Sequence, residues 1–132
     1  MSQELDFLIA RAKSACEKAY APYSKFPVGC ALVSASGQVY TGCNVENISF
    51  GLTICAERAA VFAGVLAEGS EFKIKKVVIY TPTEVPITPC GACRQVIHEF
   101  GKEVEVVSVC NTGHPNIANL PFLLPDSPAI AL

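Results

Sequence analysis

The chain has 132 residues, of which 51% are hydrophobic and only 17% charged, with a net charge of −2. That length predicts one domain over residues 1–132, and the apolar content excludes intrinsic disorder. The lack of a basic excess argues against nucleic acid as the main partner. The longest nearly uninterrupted apolar stretch, residues 59–67, is far short of the ~20 residues of a membrane-spanning helix.

The first segment, residues 2–19, places Leu5, Leu8, Ile9, Ala12, Cys16 and Ala19 on one face, the spacing of an amphipathic helix. Pro22 and Pro27 bracket a loop over residues 21–27. Two apolar runs, 28–34 and 39–44, flank Ala35-Ser36-Gly37 and predict a hairpin. Residues 44–54 are polar and irregular. Residues 55–68 are alanine-rich and helical in pattern, with Gly69 as the stop. Residues 74–80 form a β-branched run, and Pro82, Pro86 and Pro89 mark a loop. A second helix is predicted over 91–100, closed by Gly101, and another strand over 103–110. Strand–helix–strand implies a parallel crossover, so the hairpin and this unit together predict a mixed sheet with helices on its faces. Residues 111–132 are rich in proline and turn formers and give no clear pattern.

Cysteine is the unusual residue, with seven in the chain. Residues 1–6 show no basic stretch leading into an apolar core, so a reducing cytoplasm is expected, with cysteines free, buried, catalytic or metal-bound. Two segments carry a chemical signal: Cys55-Ala56-Glu57-Arg58 and Pro89-Cys90-Gly91-Ala92-Cys93-Arg94-Gln95. Cys90 and Cys93 have the spacing by which two thiolates approach one zinc from a single helical turn. Cys55 and Cys90 both fall at predicted helix starts, where unpaired N–H groups and a partial positive charge favour thiolates. If the sheet brings those starts together, Cys55, Cys90 and Cys93 converge. A fourth sulfur would make the site structural; three leave a position for water, the catalytic pattern.

Glu57 is a carboxylate close to that position, able to take and return the proton of a water. Residues two apart do not share a helix face, so Cys55 and Glu57 serve one site only if the metal lies over the helix end. Three thiolates on Zn²⁺ sum to −1, and Arg58 is expected to hydrogen-bond the thiolates and offset that charge. Taken singly, a CxxC occurs in structural zinc ribbons and redox pairs, and free cysteines occur in cores. The combination is the layout of zinc deaminases. Cys16, Cys30, Cys43 and Cys110 read as ordinary thiols, and His98 and His114 as surface residues.

The sequence resembles the short cytidine deaminases over about residues 19–100. The matching blocks are Ala21-Pro22-Tyr23-Ser24-Lys25-Phe26-Pro27-Val28-Gly29, Asn44-Val45-Glu46-Asn47, Thr53-Ile54-Cys55-Ala56-Glu57-Arg58-Ala59-Ala60 and Pro89-Cys90-Gly91-Ala92-Cys93-Arg94-Gln95. The resemblance implies a three-layer α/β/α sandwich with a mixed, about five-stranded sheet. It implies one zinc per subunit on Cys55, Cys90 and Cys93, and a homotetramer with sites at subunit interfaces. It also implies that Phe26, Asn44, Val45, Glu46 and Ala56 bind substrate. Phe26 would pack on the flat pyrimidine; Asn44 and Glu46, alternating by two, would meet ribose hydroxyls.

The reaction implied is hydrolytic deamination of cytidine and deoxycytidine to uridine and deoxyuridine plus ammonia, in pyrimidine salvage, with Glu57 as base and then acid. The chain departs from the family at Phe50, where relatives often have Tyr. Its tail Phe122-Leu123-Leu124-Pro125 also lacks the usual aromatic and Gly that follow. The competing readings are deamination of another cytosine-like nucleoside such as blasticidin S, a nucleic-acid editor, and a non-catalytic zinc-stabilised module. Asn44 and Glu46 favour a plain ribose, the mildly acidic charge argues against a nucleic-acid editor, and Glu57 argues against the last.

Overall fold

The computed structural model describes residues 2–128. Helix α1 (Gln3–Cys16) starts where Ser2 caps it, its Oγ accepting from the Leu5 N–H at 3.1 Å. The apolar spacing extends to Ala19, yet the helix stops at Cys16. Beyond it the chain turns to bond with the segment after the hairpin: the Tyr20 N–H donates to the Asn44 carbonyl at 3.0 Å, and the Glu46 N–H to the Tyr20 carbonyl at 2.8 Å. Strands β1 (Gly29–Ser34) and β2 (Val39–Cys43) form the expected hairpin, with Gly37 at a φ of +93° in its turn.

Helix α2 (Ala56–Glu68) ends at Gly69, which also has a positive φ. Strand β3 (Ile74–Tyr80), helix α3 (Gly91–Glu99) and strand β4 (Glu105–Val109) follow, and β3 and β4 are parallel. The turn-rich tail holds a further strand, β5 (Asn116–Asn119), and a short helix, α4 (Leu120–Leu123). Neither has a readable period: β5 is a largely exposed edge of four residues, and α4 is one turn. That turn is set by the Asn119 side chain, which accepts from the Phe122 N–H at 3.0 Å, and by Pro121 near its start.

The five strands run in the order β2-β1-β3-β4-β5, antiparallel except for β3–β4. All six residues of β1 are buried, because both faces of the sheet are covered and neither side of the strand meets water. On one face Leu5, Leu8 and Ala12 of α1 pack on Ala31, Val33, Val78 and Val107. On the other, α2, α3 and α4 enclose Cys30, Leu32, Val77, Ile79 and Val106, with Phe72 at the centre. This is a three-layer α/β/α sandwich on a mixed five-stranded sheet. No helix of the described residues is long and apolar enough to cross a membrane.

Two glycines fix how closely the helices lie. A Cβ on Gly29 would sit 1.9 Å from the Ala12 carbonyl oxygen of α1. One on Gly42 would sit 2.5 Å from the Ala60 nitrogen and 2.6 Å from the Ala56 oxygen of α2. Backbone cannot yield to a methyl group there, so α2 rests on β2 with its first turn at a set height. Gly42→Ala should therefore destabilise the fold by about 1–3 kcal/mol, the usual cost of overpacking, measured by urea denaturation; an unchanged midpoint would contradict the close approach.

Candidate active site

Cys55 immediately precedes α2 and Cys90 immediately precedes α3, each in the extended conformation of an N-cap. Cys93 lies in the first turn of α3, and its N–H points at the Cys90 Sγ at 3.5 Å. The three Sγ atoms lie within 4.8 Å of one another. Sulfurs bound tetrahedrally to one zinc at ~2.3 Å are about 3.8 Å apart, so a set held this close fits a zinc ion. Thiolates are also the ligands that zinc favours.

Charge is arranged for anionic sulfur. The Arg58 Nη2 donates to the Cys55 Sγ at 3.1 Å. A hydrogen bond from Cys93, with the bond and positive charge of Arg58, pulls the Cys55 thiol down to about 5 against the effect of burial. Cys93 moves the other way, pushed up by its bond to the Cys55 thiolate and by burial. The Arg58 guanidinium is itself held more firmly protonated, first by Cys55.

A cavity of about 280 Å³ opens beside the sulfurs, at the carboxyl end of β3. Cys55, Ala56, Glu57 and Cys90 line it together with Phe26, Asn44 and Glu46. Glu57 shares the site with Cys55 because both sit at the helix end, over which the cavity lies. Its side chain is buried, and burial pushes its carboxyl up to about 7; the Cys55 charge adds to this and Arg58 opposes it. A bound cation would act with Arg58.

Asn44 and Glu46 face the cavity while holding its rim. The Asn44 Oδ1 accepts from the Val28 N–H at 2.8 Å, and its Nδ2 donates to the Phe26 carbonyl at 2.9 Å. The Glu46 Oε1 accepts from the N–H groups of Tyr23 (2.9 Å) and Ser24 (3.1 Å), and its Oε2 accepts from the Ser24 hydroxyl. The Ser24 bond is the main reason that its carboxyl lies below the usual range. A carboxylate has about four acceptor positions and an amide two N–H donors, so each keeps capacity for a ligand.

Val45 lies outside the cavity lining, its backbone bridging to Tyr20 and Ile54. Sequence reasoning gave no role to Thr53, Thr81, Ile87 or Thr88, which line the cavity as well. Thr53 stands inside a matching block and could have been found there; the others stand on β3's exit and in a proline-rich loop without a motif. Cys16, Cys30, Cys43 and Cys110 are free thiols away from the cluster, and all seven cysteines are unpaired.

A family model described as the cytidine and deoxycytidylate deaminase zinc-binding region matches residues 2–110. The chain is 53% identical over 97 residues to a cytidine deaminase of Sporosarcina psychrophila, covering 74% of this chain and 70% of that one. It superposes on the crystal structure of cytidine deaminase from Burkholderia pseudomallei with a TM-score of 0.85 and 46% identity, covering 96% of this chain and 99% of that one. The corresponding Mycobacterium tuberculosis structure gives a TM-score of 0.82 and 37% identity, covering 98% of this chain and 100% of that one.

The lowered Cys55 value sets an observable order of reactivity. A thiol held near 5 stays ionised as pH falls until about that value, whereas the raised Cys93 stays protonated. In zinc-stripped protein at pH 6.5, iodoacetamide should modify Cys55 well before Cys93, read by peptide mass mapping. Arg58→Ala should slow that modification; equal rates at Cys55 and Cys93 would contradict the arrangement.

Proposed function

The chain belongs to the cytidine and deoxycytidylate deaminase family, and we propose that its Glu57 performs the proton transfers of a zinc-dependent hydrolytic deamination. The reaction converts cytidine and deoxycytidine to uridine and deoxyuridine plus ammonia, a step of pyrimidine salvage. The observation that carries the reading is a buried carboxyl and a cluster of three convergent cysteine sulfurs at one nucleoside-sized cavity, which Glu57, Cys55 and Cys90 line.

When bound, zinc lowers the pKa of a water towards neutrality and so supplies a nucleophile at physiological pH. Cys55, Cys90 and Cys93 hold it, and Arg58 offsets their charge. Glu57 takes a proton from the attacking water and gives it to ring N3 as oxygen adds at C4. It then takes the remaining proton of the hydroxyl added at C4 and carries it to the amine, and the C4–N bond breaks to release ammonia and leave the 4-oxo ring. Burial raises this carboxyl above its ordinary acidity and so moves it towards the working pH, which suits one group to both transfers.

Phe26 packs on the pyrimidine, and Ala56, fully buried at the start of α2, sets the floor beneath it. Asn44 and Glu46 use their spare positions on the ribose, with Val45 placing both. Their existing bonds to the rim mean that sugar recognition and loop position are fixed by the same two side chains.

Residues 1–132 act as one domain, and four copies assemble with the sites at their contacts. Ile48 (80% exposed), Phe50 (72%), Leu52, Phe62 and Leu66 (90%) are large apolar side chains left exposed and available to such contacts. Phe50 lies beside a second hollow shared with Ser24, Glu46 and Thr53, next to the main cavity. Seven free cysteines suit a reducing cytoplasm.

Glu57→Gln should keep one zinc per chain and lose about 10²–10⁴-fold in kcat for cytidine, the usual share of general acid–base catalysis. Ammonia release and metal content measured on the same sample check this. Full turnover by the glutamine variant would refute the role of Glu57.

A further inference from the structure

Arg94 follows Cys93, the last of the three clustered cysteines, and its guanidinium reaches three separate places. Its Nε donates to the Pro89 carbonyl at 2.7 Å, its Nη2 to the Thr88 Oγ1 at 3.0 Å, and its Nη1 to the Leu123 carbonyl at 2.8 Å. Thr88 lines the cavity, and Pro89 adjoins Cys90. Two prolines in this stretch remove backbone donors, and it belongs to no helix or strand. Among the described residues, the only hydrogen bonds made to residues 86–89 are the two from Arg94.

The third bond provides the anchor. Leu123 ends α4, whose Leu120 is fully buried and donates its N–H to the Val104 carbonyl at 2.8 Å. The planar fork of arginine can serve acceptors on several sides at once, which a lysine point charge cannot.

We propose that Arg94 is a positioning residue that fastens the Thr88–Pro89 wall to α3 and α4. It thereby sets both the seat of Cys90 on the metal and the width of the nucleoside cavity. The proposal rests on the reading that the three cysteines hold zinc in a cytidine-deaminating site. It assigns to the tail helix a structural share in that site.

The test uses the full zinc-loaded chain and two variants. Arg94→Met keeps the aliphatic stem and loses all three bonds. It should release zinc to a chromogenic chelator about 10–100-fold faster, the range seen when residues orienting metal ligands are removed. It should also raise the KM for cytidine by a larger factor than it lowers kcat per bound zinc. Its cobalt-substituted form should show a shifted thiolate-to-metal charge-transfer band. Thr88→Val loses only the bond to the cavity wall, and should raise KM about three- to tenfold with zinc release at the wild-type rate.

Wild-type zinc release and KM in Arg94→Met would overturn the proposal. If Arg94→Met does not fold, a wild-type KM in Thr88→Val would overturn it. Failure of the wild-type chain to release ammonia from cytidine would defeat the functional reading instead, and the zinc-release comparison would still judge Arg94.

Discussion

Three sulfur atoms that favour negative charge must sit close enough to share one cation, and the rest of the structure serves that demand. Anionic sulfurs repel one another and resist burial. Two helix N-termini and one guanidinium supply the opposing positive field. The two helices reach the same place because of the sheet: α2 lies over β1 and β2 with its first turn pressed on Gly42, and α3 crosses from β3 to the adjacent, parallel β4. Both helix starts therefore open at the carboxyl end of β3, where Ile79 and Thr81 form the cavity's inner wall. Such ends are where open α/β sheets bind ligands in general.

The cavity is built so that few polar side chains have a single task. Asn44 and Glu46, proposed for the sugar, also hold the loop that carries Phe26. Arg58 and Arg94 sit one residue beyond Glu57 and Cys93 respectively; the first addresses the thiolates, the second the wall beside them. Substitutions at these residues are therefore expected to disturb position and chemistry together.

Much of this was legible from residue patterns. The apolar period placed α1, the turn glycine placed the hairpin, and the cysteine spacing at two helix starts placed the cluster. Glu57 two residues after Cys55 demanded a site over the helix end, and the cavity lies there. What escaped had no local signature. The end of α1 is decided by Tyr20 pairing with a segment more than twenty residues away. Strand β5 is short and exposed, and α4 is one turn, so neither shows a period. Thr81, Ile87 and Thr88 join the wall only through tertiary placement. The three-way reach of Arg94 depends on where the tail returns, which spacing does not disclose.

The central claim is that these three sulfurs, and no fourth, bind one zinc and leave a position for a light ligand. Zinc K-edge absorption of the purified chain measures this directly. The account predicts three sulfur scatterers at about 2.3 Å and one oxygen or nitrogen at about 2.0–2.2 Å. Four sulfurs would make the site structural and closed, and would contradict it.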